Sequence, residues 1–355
     1  MGLVFLAIAA IFAADMFLAR MERAESHVEA ARLFRQGRDS MLRGENAEAI
    51  ERIKGAISIE RGNRDYLRTL AQAQLAAGKT ADAESTLEEL LQSDSTDGLA
   101  SLIMGRVLVK EGRFAEAISY FHRAVYGQWD AAAAANRLRA RFELIDLLAQ
   151  RNSKEELLAE LLPVQDRASR DLKTQIRLGR LYLLAGSPPR AAVVFRGILR
   201  DFPANADVYA GLGEAEFAQS NYRTAQRDFQ TALRLAPDDQ ATRQSLDRCN
   251  ELLMLDPALR GLSREEYFRR SRKLVELTLG EASQCAGRNP SPELQGLLDQ
   301  AAKALKAPVS AGRQGEAAES NLDLAERLWQ ARRKECAAPP ATDSPLALVL
   351  ARIAQ

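Results

Sequence analysis

The sequence predicts an all-α fold, a stack of helical hairpins, and three observations carry that prediction. Alanine and leucine dominate while Val, Ile and Thr are sparse, which favours helix over strand. Apolar residues fall at helical spacing, as in the LRTLAQAQLAA that precedes Gly78. Small residues also recur at a fixed interval. Gly44, Gly78 and Gly112 stand 34 residues apart, and so do Ala49, Ala83 and Ala117. Gly186 and Ala191 repeat the same offset, while Gly179 and Gly213, and Pro203 and Pro237, are again 34 apart. At 355 residues the chain is long enough for a large core and two domains. Lys+Arg is 49 and Asp+Glu is 48, so no global field exists for gripping nucleic acid.

The first element is residues 2–19, apolar apart from Asp15. As a helix it would span roughly 27 Å at ~1.5 Å per residue, just short of a ~30 Å hydrocarbon core. The expectation is a single-pass membrane anchor over residues 1–24. A cleaved signal peptide and a buried amphipathic helix are the alternatives. No Lys or Arg precedes the run, and Phe12 spoils a small-x-small site ending at Ala14.

Hairpins then follow over residues 30–63, 64–97 and 98–131, and again over 172–205 and 206–239. The glycine between two helices ends the first by taking a left-handed conformation, and proline ends a unit because it cannot continue a helix interior. Small residues such as Gly179, Ala191 and Ala232 let helices approach. Tyr182, Phe195 and Phe229 fill the space between layers. Between these blocks the register slips. Residues 131–168 read as a divergent fourth hairpin about Asn152-Ser153, with Ser153 and Glu156 as a capping box. Trp129 stands in the aromatic stretch YFHRAVYGQWD, either as packing for a longer loop or as part of a partner patch. A capping helix is expected over about 239–255, ending near Asp256-Pro257. A domain of residues 25–257 is thereby separated from a helical bundle over 258–355. In that bundle, helices are expected near 263–284, 291–306, 315–335 and 343–354, with Ser263 and Ser291 marking two starts.

A 34-residue period of two amphipathic helices resembles the tetratricopeptide repeat, TPR. Residues 172–205 carry Leu178-Gly179, Tyr182, Gly186, Ala191, Phe195 and Pro203, and residues 206–239 carry Tyr209, Leu212-Gly213, Tyr222, Ala225, Phe229, Ala232 and Pro237. The third hairpin keeps Gly105, Gly112, Ala117, Phe121 and Ala124, and Trp129 sits where the family usually has proline. The resemblance covers about residues 30–239 and implies a TPR-like α-solenoid of about six hairpins. It also disposes of a nucleotide reading of Gly78-Lys79-Thr80: a P-loop needs a strand and a glycine at position 73, which is Ala73.

No enzyme is expected. His27 and His122 lack a nucleophile motif, Glu155-Glu156 and Glu265-Glu266 face differently on their helices, and GLGEAE at 211–216 lacks a third glycine. No cofactor or metal site is expected. Recognition remains. In the family, first helices line a groove, and its positions map onto Phe34, Arg35, Arg38, Arg68, Gln72, Leu102, Arg106, Arg177 and Arg180. The resemblance therefore implies a protein partner, with an acidic or extended segment suiting the guanidinium forks. Pairing of the arginines with the chain's own Asp65 and Glu214 is the alternative. Leu99 and Ile103 stand where a chaperone-tail clamp would need polar residues. A Cys285–Cys336 disulfide is geometrically allowed if the first and third bundle helices run parallel. Three reduced thiols, with Cys249 packed in a helix, are the alternative.

Arg20 and Arg23 after the apolar run favour a cytoplasmic body, whereas a disulfide favours the outside. The expectation taken is an extracytoplasmic, membrane-anchored scaffold in an envelope assembly, without catalysis of its own. An accessory subunit of a membrane enzyme complex and a self-assembling structural protein are the rivals.

Overall fold

A computed structural model describes residues 2–165, 171–285, 290–336 and 344–354; for residues 2–15, 18, 19 and 285 it describes the backbone alone. Among the described residues every regular element is helical, and the only strand-like pairing is an isolated bridge between Asp97 and Gln128. The chain divides into two compact units, Met1–Ala168 and Ser169–Gln355.

The first unit is a run of antiparallel hairpins: α1 (Gly2–Leu42) with α2 (Asn46–Ile59), α3 (Arg64–Ala76) with α4 (Thr80–Ser93), α5 (Gly98–Lys110) with α6 (Phe114–Tyr126), and α7 (Ala133–Gln150) with α8 (Lys154–Leu161). The second unit opens with two more, α9 (Leu172–Leu184) with α10 (Pro188–Asp201) and α11 (Ala206–Ala218) with α12 (Tyr222–Leu235). It continues through α13 (Gln240–Leu255), α14 (Arg264–Cys285), α15 (Pro292–Lys306), α16 (Gln314–Glu335) and α17 (Pro345–Ile353).

One turn geometry serves all six hairpins. Gly44, Gly78, Gly112 and Gly186 have φ between 70° and 79°, and Asn152 and Ser220 take the same left-handed conformation at 55° and 61°. The next residue's N–H reaches back five positions, as in Lys79 to Gln74 O (2.9 Å), Ser153 to Leu148 O (3.0 Å) and Asn221 to Glu216 O (2.9 Å). This closes the first helix with a Schellman turn. The same residue is the N-cap of the second helix, and none of the six makes a side-chain cap. The capping box expected at Ser153 is therefore not formed, because the backbone turn already fixes that end. First helices start differently: Asn63, Asp97, Asp171 and Asn205 each cap one with a side-chain oxygen, and Asp239 caps α13 in the same way.

Packing within a hairpin follows a second offset, 16 residues. A Cβ on Gly37 would lie 2.6 Å from Ile53, one on Gly179 2.6 Å from Phe195, and one on Gly213 2.6 Å from Phe229. Phe195 is fully buried and also presses on Gly211 of the following hairpin. Small and bulky residues thus fit by complementary volume.

The junction between α6 and α7 departs from this regularity. Gly98 N–H donates to Gln128 O and Gln128 N–H to Thr96 O, both at 2.8 Å. Trp129 lies against Gly98, with its indole N–H on Ala124 O (3.0 Å).

In the second unit one core runs from Tyr222 and Phe229 through Cys249 and Leu252 to Leu274, Leu297, Leu328 and Leu350. α14 and α16 are parallel. Asn321 donates to Ser271 Oγ at 3.1 Å, and Arg332 pairs with Glu281 at 3.0 Å, so the contacts advance together along both helices. Ser263 and Ser291 cap α14 and α15 through Glu266 N–H and Leu294 N–H, both at 3.1 Å. Arg352 of α17 pairs with the fully buried Asp256 at 2.5 Å.

The expected single-pass anchor is corrected. Among the described residues no helix is long and apolar enough to cross a membrane. The apolar residues 2–19 open a single 41-residue helix, α1, that continues into the first hairpin. Directly after residue 19, Arg20, Glu22, Arg23 and Glu25 interrupt the apolar character every one or two residues. The single-pass membrane placement, and the membrane contact expected through residues 2–19, fall with the anchor.

Candidate functional site

Two adjoining clefts lie on the first-helix face of the first unit. One, of about 390 Å³, has Phe34, Arg38 and Leu42 of α1 opposite Arg68 and Gln72 of α3. The other, of about 430 Å³, runs from Gln72 and Leu75 across Leu102 and Arg106 of α5 to Asn136 and Arg139 of α7. Gln72 and Leu99 border both. First helices present this face because the hairpin packs its second helix on the opposite side, through Ile53, Leu87 and Phe121.

Each expected groove residue has a definite place. Phe34 is half-buried and stacks on Tyr66, with ring centroids 4.4 Å apart, and Arg38 sits over its outer face at 5.9 Å. Arg35 is exposed and turns back to Ala31 O of its own helix. Gln72 is half-buried between the two clefts, and Leu102 is 2% exposed and forms floor.

Arg68 is buried and committed. Its guanidinium pairs with Asp97 at 2.7 Å, Asp130 at 2.5 Å and Asp65 at 2.9 Å. Asp97 is wholly buried, and it also caps α5 through Ala100 N–H. Arg106 makes a two-pronged pair with Glu143 of α7 at 2.6 and 2.7 Å. These two arginines join hairpins. The other cations at the cleft rims are Arg38, Lys110, which donates to Leu75 O at 3.0 Å, and Arg139, which lies 3.7 Å from Glu143 with its side chain 68% exposed. Sequence reasoning missed Lys110 and Arg139. Lys110 sits one helical turn beyond Arg106, a spacing that would have placed it on the same face.

Arg177 and Arg180 are both exposed on α9 in the second unit. Arg180 acts on Asp239, whose carboxyl is held below its usual range mainly by the Thr242 hydroxyl and backbone, with Arg180 a smaller contributor. Nearby, Glu216 is buried and held by Arg196 and by Asn221 Nδ2 at 2.8 Å. Burial, and then the charge of Glu216, push the Asp228 carboxyl up to about 6, and its Oδ2 is buried without a hydrogen bond.

Cys249 is a free, buried thiol pushed up to about 11 by burial. Cys336 at the end of α16 is disulfide-bonded, and the side chain of Cys285 lies outside the described residues. Trp129 is both loop packing and one wall of the larger cleft. Among the described residues no group of three His, Cys, Asp or Glu side chains is placed to hold a metal ion.

Residues 40–106 match the family model described as tetratricopeptide repeat, and residues 206–236 match the SHNi-TPR model. No curated protein matches the chain. Among solved structures it is similar to the TPR protein YrrB, described as having an unusual peptide-binding site, at 17% identity and a TM-score of 0.46 over 55% of this chain and 97% of that one. The C-terminal part of a TPR protein from Cytophaga hutchinsonii matches at 16% identity and 0.47, over 69% of this chain and 95% of that one. The Naa15/Naa10 assembly bound to HypK-THB matches at 14% identity and 0.51, over 91% of this chain and 55% of that one, a likeness of fold.

Proposed function

We propose that this tetratricopeptide-repeat chain is a scaffold without catalysis of its own that holds an extended, acidic segment of a partner protein on the first-helix face of its first unit. The observation that carries the reading is the pair of adjoining clefts, with an apolar floor at Phe34, Leu99 and Leu102 and the exposed cations Arg38 and Arg139 at the rim. An extended segment suits a trough shared by four helices. Acidic side chains suit Arg38, Lys110 and Arg139, because Arg68 and Arg106 are locked into close pairs with Asp97 and Glu143 whereas Arg139 reaches Glu143 only at 3.7 Å from an exposed position. Apolar anchors would supply most of the affinity and the rim charges would select the partner. In the second unit we infer that Cys336 is bonded to Cys285, because Cys249 is a free thiol and residues 285 and 336 stand at the same end of the parallel helices α14 and α16.

The test is selection of a random peptide library on the immobilised full chain. Selected peptides should be rich in Asp and Glu interleaved with apolar residues. The best of them should bind an Arg38→Ala, Arg139→Ala double variant about tenfold more weakly by fluorescence polarisation. Selection of neutral or basic peptides, or an unchanged affinity in the double variant, overturns the reading.

A further inference from the structure

The opening helix carries a surface that the hairpins leave uncovered. Ala30 is the first buried residue of α1 among those described, and residues 20–28 are all exposed. About 40 Å of helix, residues 2–28 at ~1.5 Å per residue, thus precedes its seat on the first hairpin. Phe17, Met21 and Val28 are 63%, 48% and 67% exposed, and with Ala24 and Ala31 they follow alternating steps of four and three residues. Of the large apolar side chains described before Glu29, only Met16 stands off this line. Over the charged stretch 20–31 the buried Ala30 is the one apolar residue that does. By sequence the same steps run back through Ala14, Ala10 and Ala7 to Leu3.

An apolar line with steps of four and three is the seam of a left-handed coiled coil. It faces away from the chain's own core. Ala30, which packs with Ile50 and Ile53, and Gly37, which meets Ile53, stand about half a turn round the helix from Val28. Charge says what covers the seam. With Met21 and Val28 at the a positions and Phe17, Ala24 and Ala31 at d, Arg20 falls at g and Glu25 at the following e. In a parallel pair of helices, g faces the e position five residues on in the other strand. Arg20 of one copy therefore meets Glu25 of a second copy, once on each flank. Both residues are exposed, and neither has a partner among the described residues. The next such positions, His27 and Arg32, are already held by Glu60 and Glu29 of the same chain. Arg35 and Arg38 take the two seam positions after Ala31, so the seam ends where the hairpins begin.

We propose that two copies of this chain join in parallel and in register through residues 17–31 of α1, as a two-stranded coiled coil flanked by Arg20–Glu25 pairs. Phe17, Met21 and Val28 supply the apolar contact, and Ala24 between them lets the strands approach closely. The charge pair fixes direction and register, because g meets e only when the strands run the same way. This association does not depend on what the clefts of the first unit hold.

Analytical ultracentrifugation of the full chain tests this. The chain should sediment as a dimer, and Met21→Lys with Val28→Lys should return it to a monomer. Both side chains are exposed in the single chain, so the hairpins do not need them. Arg20→Glu should weaken the dimer about tenfold, because both flanking pairs become repulsive, and adding Glu25→Arg should restore it. Phe17→Cys and Ala24→Cys should each give an interchain disulfide on mild oxidation, while Ser26→Cys, on the opposite side of the helix, should not. A monomeric chain, or an assembly that survives the two lysines, overturns the proposal. So does a failure of Glu25→Arg to restore what Arg20→Glu loses. A cross-link at only one of the two seam positions, or at Ser26→Cys as readily as at Ala24→Cys, overturns it as well.

Discussion

The six hairpin turns and the junction between α6 and α7 both reverse the chain, but with different materials. A turn needs one residue at positive φ and a bond spanning five residues, such as Arg113 N–H to Leu108 O at 2.9 Å. The junction needs partners from three helices: Arg68 from α3, Asp97 at the start of α5, and Gln128, Trp129 and Asp130 after α6. A turn closes with little entropy cost and forms almost independently of its neighbours, whereas the junction is ordered only when distant segments are already in place. Damage to a turn should therefore stay small and local. Damage to the junction should spread.

The largest effect separating the two is expected from Asp97→Ala. It strips the buried Arg68 of its best partner and removes the cap of α5. Breaking a buried pair from one side costs about 3–5 kcal/mol. Urea unfolding should show that loss, and a shift under about 1 kcal/mol would mean that the junction is as local as the turns. Opening the proposed Cys285–Cys336 bond tests another long-range tie. A closed loop of this size is worth about 4 kcal/mol in the chain-entropy model. Non-reducing peptide mapping should find the linked pair, and Cys336→Ser should lower the melting temperature toward that of the reduced chain.

A smaller effect is expected from Asp228→Asn. The native carboxyl titrates near 6, above its unfolded value, so its favourable contribution is complete below about pH 4 and is lost as pH rises through 6. At pH 7 the substitution should stabilise, by about 1 kcal/mol after allowance for solvent screening at a half-buried site. The gain should vanish near pH 4. Glu216, Arg196 and Arg227 set the local field, so a gain independent of pH would assign it to packing instead. The smallest change is expected at a turn. Ser220→Gly relieves a serine at φ 61° and should add about 0.5–1 kcal/mol, with the other turns unaffected in hydrogen exchange.

Legibility in the sequence follows the same divide. Gly44, Gly78, Gly112 and Gly186 marked four turns because left-handed backbone favours glycine. The other two were harder to read, although 152, 186 and 220 keep the 34-residue step, because Asn152 and Ser220 take that conformation without glycine. Bundle boundaries were readable from Ser263 and Ser291, which act on residues three positions away. The candidate site was less readable. Sequence could place Arg68 and Arg106 on the right face, but not reveal that Asp97, Asp130 and Glu143, 29 to 62 residues away, would claim them. The 18-residue apolar opening suggested an independent anchor, whereas it continues without a break as one helix to Leu42, whose far end packs on the second helix where Gly37 meets Ile53.

The volume match sixteen positions apart constrains how this protein can change over time. Enlarging Gly179 or Gly213 is barred while Phe195 and Phe229 keep their rings, and shrinking either ring alone leaves a void. Drift at one member must be answered at the other. Related chains should therefore trade bulk between the two helices of a hairpin in compensated steps, and an uncompensated pair would mark a hairpin under relaxed selection.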